Sequence, residues 1–533
     1  MIFRSPYPDV DVPDLTITEH VLGPGRTGGE GDGDVALIDG TSGAEVSFGE
    51  LRSKVLRAAG GLAAPGLAKG DVLAIYSPNT VGYPVAFHGT AHAGGVVTTV
   101  NPTYTSEELA VQLGDSGARF LLTVGPLLEK ARDAAKRTGT VSEILTFDGA
   151  PGSTPFDEML DGPELVRGPP ADPARDIVAL PYSSGTTGVS KGVMLTHRNL
   201  VANLAQLAGT YSLCRPLTRK DTVIAVLPFF HIYGLVVVMN YALWRGAKLV
   251  VLPRFDLEHF LGAMQSQRVT FAYLVPPIMV ALAKHPVVAQ YDLSALEGIM
   301  SGAAPLGAEV AQAVEQRLGC CVCQGYGLTE ASPVTHYGPD QRKGQTPHDS
   351  IGPSLPNTEI LVADVATGQP LGPGERGEIW VRGPQVMSGY LGAPEATEAT
   401  LDADGWLHTG DVGYVDEAGY CRIVDRVKEL IKYKGFQVAP AELEALLLTH
   451  PRIKDAAVVR SPDEEAGEVP KAFVVRDGDL TTDEVIAFVA ERVSPQKKIR
   501  RVEFIDAIPK SPSGKILRRV LVERERQRME TES

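Results

Sequence analysis

Short apolar runs alternate with stretches of helical periodicity through most of the chain before residue 351. The apolar runs occupy residues 72–76, 120–124, 223–226 and 249–252. Runs of this length are typical of buried strands. Between them the polarity pattern becomes helical, as at residues 106–113, where Thr105 and Glu108 have the spacing of a capping box. The alternation predicts βαβ units, with mostly parallel sheets that are covered by helices.

The pattern changes near residue 351. Residues 351–424 contain short strands separated by Gly/Pro turns, which indicates a small β-barrel. After Asp425 the chain mixes strands with a helix at residues 440–450, whose first turn carries a proline. The predicted fold class is therefore α/β. A large N-terminal domain (residues 1–425), made of two βαβ-type subdomains and the small barrel, precedes a small α+β C-terminal domain (residues 426–533).

The composition narrows the possible functions. A chain of 533 residues is too long for one ordinary hydrophobic core, which agrees with two or more domains. The formal net charge of −15 argues against general nucleic-acid binding, because nucleic acids select basic surfaces. A local basic site for phosphates remains compatible with this charge. We therefore expect small-molecule partners and no nucleic acid.

The cysteines and the apolar segments indicate where in the cell the protein is expected to be found. Cys320, Cys321 and Cys323 lack a second Cys/His pair at ligand spacing, so we predict small buried side chains in a reducing compartment rather than a metal site. The chain start lacks the apolar segment of a signal peptide. The longest apolar run, residues 227–244, contains Pro228 and falls short of the roughly 20 residues of a membrane span. We expect a cytoplasmic protein with no stable membrane anchor.

One segment is unusually rich in hydroxyls, glycines and a basic side chain. It contains Ser183, Ser184, Gly185, Thr186, Thr187, Gly188, Ser190, Lys191 and Gly192. Hydroxyls and backbone N–H groups donate to phosphate oxygens, glycines let the backbone approach closely, and a lysine adds positive charge. A Walker A string cannot be aligned with the segment. Taken alone, it is compatible with a phosphate loop or with an ordinary Gly/Ser/Thr turn.

Two later segments carry groups that a nucleotide needs. Residues 324–330 combine an aromatic ring, which can stack on adenine, with a hydroxyl and with the carboxylate of Glu330, a suitable Mg²⁺ ligand. Asp411 can accept hydrogen bonds from both hydroxyls of a ribose, and Arg426 follows fifteen residues later. Taken alone, a turn would explain the aspartate, and a surface ion pair would explain the arginine.

Two lysine-rich segments follow near the predicted domain boundary and near the C-terminus. Alternate positions of the first are Lys428, Leu430, Lys432 and Lys434. On one strand these side chains would share a face, and such a row is normally a solvated edge. The second segment, residues 509–519, contains Lys515. Taken alone, this segment would be interpreted as a basic tail. A lysine there would suit the attack of a carboxylate on a phosphate, because a cation relieves the repulsion between two anions.

In this order, the five segments resemble the motifs of the adenylate-forming (acyl-CoA synthetase/luciferase) superfamily, from about residue 45 to about residue 520. Residues 227–234 and 300–306 resemble the 4-coumarate–CoA ligase group most closely. The resemblance implies an ATP-dependent acid–CoA ligase that forms an acyl adenylate, with ATP, Mg²⁺ and coenzyme A as cofactors. No carrier-protein domain is found, so CoA is the expected acceptor. Ser190 is a departure, since the family usually has proline there.

The resemblance implies a role for each nucleotide-binding segment. The phosphate loop, residues 183–191, would hold the β- and γ-phosphates. Tyr326 would pack on adenine, beside Gln324 and Gly325, and Thr329 would contact the α-phosphate.

The same resemblance implies the metal, ribose and catalytic residues. Glu330 would bind Mg²⁺, Asp411 would bind the ribose, and Arg426 would contact ribose and phosphate. Lys515 would be the catalytic lysine, carried on a small mobile domain that rotates about Asp425.

The resemblance also implies contacts further along the reaction path. Lys428, Lys432 and Gln437 would line the acyl-adenylate site, Lys434 and Gly435 would lie on the CoA tunnel, and Arg254 would contact a CoA phosphate.

The implied acyl pocket is lined by His231, Tyr233, Ala303, Gly327, Pro333 and Val334. His231, as an aromatic gate, joins Lys515, Lys432 and Gln437 among the predicted catalytic residues, although an ordinary core histidine would also fit the pattern. Plant hydroxycinnamate ligases often have asparagine near the position of Val236, and an aliphatic side chain cannot bond a para-hydroxyl. We predict an aryl-propenoic acid of the cinnamate or 4-coumarate kind. The alternatives are a medium- or long-chain fatty acid, a luciferase-like oxygenase and a non-catalytic nucleotide binder.

Overall fold

Four β-sheets organise the part of the chain that this computed structural model describes. The described residues are 1–23, 31–183, 190–210, 215–338, 347–434, 436–463, 465–512 and 514–532. Three of the sheets lie in the larger N-terminal part, and the fourth lies in the smaller C-terminal part. The predicted α/β fold class, with a large and a small domain, is confirmed.

A nine-stranded sheet forms the first layer. Its strands are β4 (Val72–Tyr76), β5 (Val96–Val100), β6 (Ala118–Thr123), β7 (Glu143–Thr146), β8 (Thr154–Pro155), β9 (Ile177–Ala179), β10 (Tyr182–Ser183), β11 (Lys191–Thr196) and β20 (Gly389–Tyr390). They pair in the order β10-β11-β9-β5-β4-β6-β7-β8, with β20 on β11. The strands from β9 to β8 are parallel, as the alternating pattern predicts.

Helices cover both faces of this sheet. They are α2 (Phe48–Ala63), α3 (Gly82–His92), α4 (Ser106–Ser116) and α5 (Leu128–Thr138). Side chains alternate along β4, so that Leu73 packs in the cluster with α2 and α3 while Ala74 packs in the cluster with α4 and α5. The predicted capping box of Thr105 and Glu108 begins α4.

An eight-stranded sheet forms the second layer. Its strands are β2 (Val35–Asp39), β3 (Glu45–Ser47), β12 (Thr222–Ala225), β13 (Lys248–Val251), β14 (Phe271–Leu274), β15 (Gly298–Ser301), β16 (Cys321–Gly327) and β17 (Val334–Tyr337). They pair in the order β17-β16-β15-β14-β12-β13-β2-β3. Only the end strands β3 and β17 are antiparallel to their neighbours. The remaining helices of the large part are α1 (Ile17–Leu22), α6 (His197–Ala208), α7 (Tyr241–Trp244), α8 (Leu257–Ser266), α9 (Pro276–Lys284), α10 (Ala308–Leu318) and α11 (Pro394–Glu398).

The longest apolar run of the sequence belongs to the core. Tyr233–Asn240 forms a π-helical segment that continues into α7, and every residue of it is buried. None of the helices in the described ranges is long and apolar enough to cross a membrane. The cytoplasmic location stays a prediction.

A five-stranded antiparallel sheet occupies the region that the sequence predicts to be a small β-barrel. Within the described residues its strands pair in a linear order from the first to the last, which is an open sheet and not a closed barrel. Its strands are β1 (Ile2–Arg4), β18 (Glu359–Ala363), β19 (Gly377–Arg382), β21 (Leu407–Val415) and β22 (Cys421–Arg426), which pair in that order. The pairing of β1 with β18 was not predicted, because it joins Ile2 to Leu361 across most of the large domain.

The small C-terminal part has its own sheet and core. Its strands are β23 (Ile431–Tyr433), β24 (Phe436–Val438), β25 (Ile453–Asp463), β26 (Gly467–Arg476) and β27 (Arg501–Phe504), and its helices are α12 (Pro440–Leu448), α13 (Thr482–Ala490) and α14 (Arg518–Glu532). The sheet order is β24-β23-β26-β25, with β27 on β26. Sheet membership changes between Arg426 and Ile431. The boundary at Asp425 stays a prediction.

The cysteines differ in part from expectation. Cys320, Cys323 and Cys421 are free and buried, as the hypothesis of small buried side chains requires. Cys321 is instead disulfide-bonded. Cys321 begins β16 and is half-buried, whereas Cys320 precedes the strand and is buried.

A buried ion-pair network fastens the last helix to the small sheet. The Lys471 ammonium, on β26, pairs with Glu503 at 2.6 Å and with Glu525 of α14. The side chains of Lys471 and Glu525 are only 2% and 1% exposed. Arg528 also pairs with Glu525, at 3.0 Å, so removing the Lys471 cation would leave this buried carboxylate only partly compensated.

We expect Lys471→Met to lower the free energy of unfolding of the small domain by about 1.5–3 kcal/mol, because a hydrogen bond to a charged group contributes that much and Arg528 still pairs with Glu525. Urea denaturation measures the change. Lys454→Met is the matched control, since Lys454 and Asp477 form an exposed pair that should be worth about 0–1 kcal/mol. Equal losses in the two variants would contradict this interpretation.

Candidate active site

The predicted phosphate loop is the connection of a β-hairpin. Strands β10 and β11 are antiparallel, with Ser183 opposite Lys191. The predicted residues between them, Ser184, Gly185, Thr186, Thr187 and Gly188, lie outside the described residues. The hydroxyl of Ser190 donates to the carbonyl oxygen of Ser183 at 3.1 Å. The serine that departs from the family pattern therefore helps to close the base of the loop.

The predicted metal ligand lies beside this hairpin. Glu330, in a short 3₁₀ turn (Thr329–Ala331), is 8% exposed. Its Oε1 accepts hydrogen bonds from Ser183 Oγ and from Tyr390 Oη, both at 2.8 Å. The Lys191 ammonium lies 5.5 Å from the centre of the Tyr390 ring. The structure thus brings together Ser183, Lys191 and Glu330, and it adds Tyr390, which the sequence interpretation missed.

The predicted ribose ligands form a second buried cluster. Asp411 and Arg426 lie opposite each other on β21 and β22, and Arg426 Nε is 3.3 Å from Asp411 Oδ1. Tyr326 Oη donates to Asp411 Oδ2 at 2.5 Å. Burial raises the pKa of the Asp411 carboxyl above its usual value, while the Arg426 guanidinium and the Tyr326 hydroxyl oppose that rise. The three residues come from two different sheets.

The turn that presents Asp411 is held by a residue that the sequence did not reveal. Glu378 Oε1 accepts a hydrogen bond from the Gly410 backbone N–H at 2.8 Å, and Trp380 Nε1 donates to Glu378 Oε2 at 3.0 Å. Thr409 Oγ1 donates to the Ile379 carbonyl at 2.6 Å. A glutamate in a strand carries no local signal of this role, because its partner is about thirty residues away.

Lys515 lies in the electrostatic field of both clusters. Burial, followed by the Arg426 guanidinium, lowers the pKa of Lys515 to about 8, while Asp411, Glu429 and Glu330 oppose that shift. Lys515 in turn contributes, after burial, to a pKa of about 4 for His231, which is therefore neutral at physiological pH. The predicted catalytic lysine therefore interacts electrostatically with the predicted nucleotide residues and with the predicted acyl gate.

A glycine allows the Lys515 loop to pack closely on the large domain. Gly514 has φ +79°, a conformation that other residues adopt only with strain. A Cβ atom there would lie 3.2 Å from Val275 and 3.4 Å from Pro277, at the start of α9. The loop therefore contacts the large domain directly.

The predicted acyl-pocket residues lie around the ends of β15 and β16. The Tyr233 hydroxyl donates to the Met300 carbonyl at 3.2 Å, and the Tyr233 backbone N–H donates to His231 Nδ1 at 3.3 Å. A Cβ atom at Gly302 would lie 3.1 Å from the Tyr233 ring. Ala303 follows, exposed and with φ +68°. The wall formed by Tyr233 and Gly302 is tight.

The other end of the predicted pocket is equally close-packed. A Cβ atom at Gly327 would lie 2.0 Å from the Pro333 carbonyl oxygen. Val334 is held by Asn203, whose Nδ2 donates to the Val334 carbonyl at 2.8 Å and whose Oδ1 accepts from the Val334 N–H at 3.2 Å. Asn203, on α6, is a further residue that the sequence interpretation missed.

The lysines after the boundary do not share one strand face, so that prediction is wrong. Residues 427–429 form a turn between β22 and β23, in which the Leu430 N–H donates to the Arg426 carbonyl at 3.1 Å. Leu430 is buried against Val412 and Ala439. The turn interrupts the alternation because the apolar Leu430 packs inward, whereas Lys428 and Lys432 are exposed.

The remaining predicted residues lie apart from the two clusters or have other partners. Lys434 is exposed at the β23–β24 hairpin and pairs with Glu465. Lys432 lies opposite Gln437 in that hairpin, while Gly435 and the side chain of Gln437 lie outside the described residues.

Three predicted residues of the large domain are also away from the two clusters or have other partners. Arg254 is exposed after β13. The Gln324 amide bonds the backbone of Leu306, and Gly325 packs on Met300.

The predicted hinge residue bridges the two domains. Asp425 accepts hydrogen bonds from the Arg426 N–H at 2.7 Å and from the Ala441 N–H, at the start of α12, at 3.0 Å. Burial raises the pKa of Asp425 to about 6, and these backbone bonds oppose the rise. Arg518 adds ion pairs to Glu429 at 3.0 Å and to Glu444 at 2.8 Å.

Comparison with known proteins identifies the family. Residues 27–391 match the AMP-binding enzymes, and residues 442–515 match the AMP-binding enzyme C-terminal domain. The chain belongs to the AMP-binding enzyme family. The predicted superfamily resemblance is confirmed, and so is the prediction of an AMP-forming acid–thiol ligase that works through an acyl adenylate.

Relatives of this AMP-binding enzyme match over nearly their full length. The 4-coumarate–CoA ligase of Pinus taeda is 44% identical over 526 residues, which cover 98% of this chain and 97% of the relative. The 4-coumarate–CoA ligase 3 of Oryza sativa subsp. japonica is 43% identical, with 98% and 94% covered. ATP-bound MatB from Rhodopseudomonas palustris is 29% identical with a TM-score of 0.86, covering 96% of this chain and 99% of that structure.

Proposed function

We propose that this AMP-binding enzyme joins an aryl-propenoic acid to coenzyme A, with Lys515 as the catalytic residue of adenylate formation. One observation carries the proposal: the Lys515 loop packs on the large domain, and its ammonium lies within the electrostatic reach of Arg426 and His231. A cation with this electrostatic influence supports a role for Lys515 between the predicted nucleotide site and the predicted acyl gate.

In the first step, a carboxylate oxygen attacks the α-phosphorus of ATP. The new oxygen–phosphorus bond gives the acyl adenylate, and the bond between the α-phosphorus and the bridging oxygen breaks to release pyrophosphate. Lys515 would lower the barrier because its ammonium balances the charge of two anions that must approach each other. Tyr326 would pack on adenine, Thr329 would contact the α-phosphate, and Asp411 with Arg426 would hold the ribose.

Glu330 fits the proposed role of Mg²⁺ ligand. Within the described ranges, no group of three or more acidic, histidine or cysteine side chains could hold a metal by itself. Mg²⁺ bound with a nucleotide needs only one or two carboxylates, because phosphates and water supply the other oxygens. The metal would neutralise phosphate charge as pyrophosphate leaves. The phosphate loop and Lys191 would hold the β- and γ-phosphates.

In the second step, the CoA thiol attacks the carbonyl carbon of the adenylate. The new carbon–sulfur bond gives the thioester, AMP leaves with the oxygen of the broken bond, and the thiol proton passes to solvent. We propose that the small domain rotates about Asp425 between the steps, withdrawing Lys515 and presenting Lys434 and Gly435. Lys428, Lys432, Gln437 and Arg254 would then act in the acyl-adenylate and CoA sites.

The acid is proposed from the relatives and from the pocket. The relatives named 4-coumarate–CoA ligases cover nearly the whole chain. Val236, fully buried, cannot bond a para-hydroxyl. This last feature supports cinnamate over 4-coumarate, and it keeps a medium- or long-chain fatty acid as the second candidate.

We expect cinnamate to be used at least as well as 4-coumarate in assays of AMP release with CoA, and fatty acids of eight or more carbons to be poorer substrates. Val236→Asn should shift the ratio of kcat/KM toward 4-coumarate by about five-fold, since one hydrogen bond contributes about 1 kcal/mol. Val237→Asn, one residue along, is the positional control. A strong preference for fatty acids would reject the aryl-propenoic proposal.

We expect Lys515→Ala to slow ATP–pyrophosphate exchange by about 10²–10³-fold, as loss of a preorganised charge does. Thioester formation from preformed acyl adenylate should change little, because Lys515 has left the site by then. Lys434→Ala should show the reverse pattern. If Lys515→Ala slowed both half-reactions equally, the proposed division between the two lysines would be wrong.

A further inference from the structure

Tyr390 lies at the junction of two parts of the proposed nucleotide site. It belongs to the two-residue strand β20, which pairs with β11 so that Tyr390 lies opposite Val193. Its side chain is buried, with its hydroxyl donating to Glu330 Oε1 at 2.8 Å. The face of its ring lies 5.5 Å from the Lys191 ammonium. One side chain therefore contacts both the proposed metal ligand and the lysine of the phosphate loop.

The hydrogen bonds to Glu330 select one carboxylate oxygen. Ser183 Oγ and Tyr390 Oη both donate to Oε1, each at 2.8 Å. Among the described hydrogen bonds, none reaches Oε2. Two donors on one oxygen resist rotation of the carboxylate and leave the other oxygen available to a ligand. Mg²⁺ requires near-ideal octahedral geometry at short distances, so the orientation of that oxygen matters.

The backbone around Tyr390 is held by hydrogen bonds to α11 and to β11. Its backbone N–H donates to Thr397 Oγ1 at 2.9 Å. The N–H of Leu391 donates to the Gly192 carbonyl at 2.9 Å, and that of Ser388 donates to the Met194 carbonyl at 3.0 Å. These bonds fix β20 along β11 and thereby fix the backbone of Tyr390.

We propose that Tyr390 is a positioning residue for the metal–nucleotide complex. Its hydroxyl turns Glu330 so that Oε2 faces Mg²⁺, and its ring holds the Lys191 ammonium beside the phosphates by a cation–π contact. The proposal rests on the proposed function, in which Glu330 is the metal ligand. Groups that orient a metal ligand typically affect metal affinity by about 10–100-fold when they are removed.

The test measures binding without turnover. Isothermal titration with α,β-methylene-ATP, which cannot release pyrophosphate, is repeated over a series of Mg²⁺ concentrations. We expect Tyr390→Phe to raise the Mg²⁺ concentration for half-maximal nucleotide binding by about 10–100-fold, because the hydroxyl is lost. Metal-free binding of the analogue should be unchanged, because the ring remains under Lys191. A midpoint within two-fold of the wild type would overturn the proposal.

Three further variants separate positioning from a merely structural role. Tyr414→Phe removes a hydroxyl from β21, away from Glu330, and should leave the midpoint unchanged. Tyr390→Leu also removes the ring and should weaken metal-free binding as well. In a Glu330→Gln background, Tyr390→Phe should cause no additional shift. A full additional shift would show that Tyr390 does not act through Glu330 and would overturn the proposal.

The outcome is distinguishable from failure of the proposed ligase function. Binding of the metal and the analogue requires no acid, no CoA and no chemical step. If no acid were activated but the shift in Tyr390→Phe appeared, the metal-positioning role would stand and the proposed substrate would fall. If acids were activated normally and the shift were absent, the positioning role alone would fall.

Discussion

The buried pairing of Asp411 with Arg426 is the interaction on which the rest of the site depends. A carboxylate that is removed from water loses much solvation free energy, and only close partners restore it. Arg426 supplies one partner, and the hydroxyl of Tyr326 supplies the other. Because Tyr326 lies on β16 while Asp411 and Arg426 lie on β21 and β22, the cluster ties the eight-stranded sheet to the five-stranded sheet. It does so where the small domain begins.

Lys515 extends this cluster across the domain boundary. Its ammonium is desolvated and lies near the like charge of Arg426, so its protonated form is less favoured than in water. The carboxylates of Asp411 and Glu330 partly offset this effect, because their negative charges stabilise the protonated lysine. In the proposed nucleotide site, a triphosphate would add several negative charges near this lysine. Nucleotide binding should therefore favour both the charged lysine and the docked position of its loop.

The sequence predicted the local features well. Alternating apolar runs predicted the parallel sheets, the spacing of Thr105 and Glu108 predicted the start of α4, and the motifs predicted the family. Contacts between distant segments could not be predicted in this way. Tyr390 reaches Glu330 only because β20 pairs with β11, and Glu378 supports Gly410 only because β19 lies beside β21. The prediction that Lys428 and Lys432 share one strand face was wrong, because the chain turns before the buried Leu430. Such outcomes depend on which segments become neighbours, and a local pattern does not contain that information.

The proposed mechanism requires that a single desolvated lysine supplies the charge for adenylate formation. The most direct test is the pH dependence of kcat/KM for ATP in pyrophosphate exchange, which reports groups of the free enzyme. With the pKa of Lys515 lowered to about 8, the ammonium is lost as the pH rises, so the rate should fall progressively above pH 8. Lys515→Arg, which stays charged, should lose this decline even if its rate is lower. A wild-type rate that stays level to pH 10, or a decline at pH 8 that persists in Lys515→Arg, would rule out this role of Lys515.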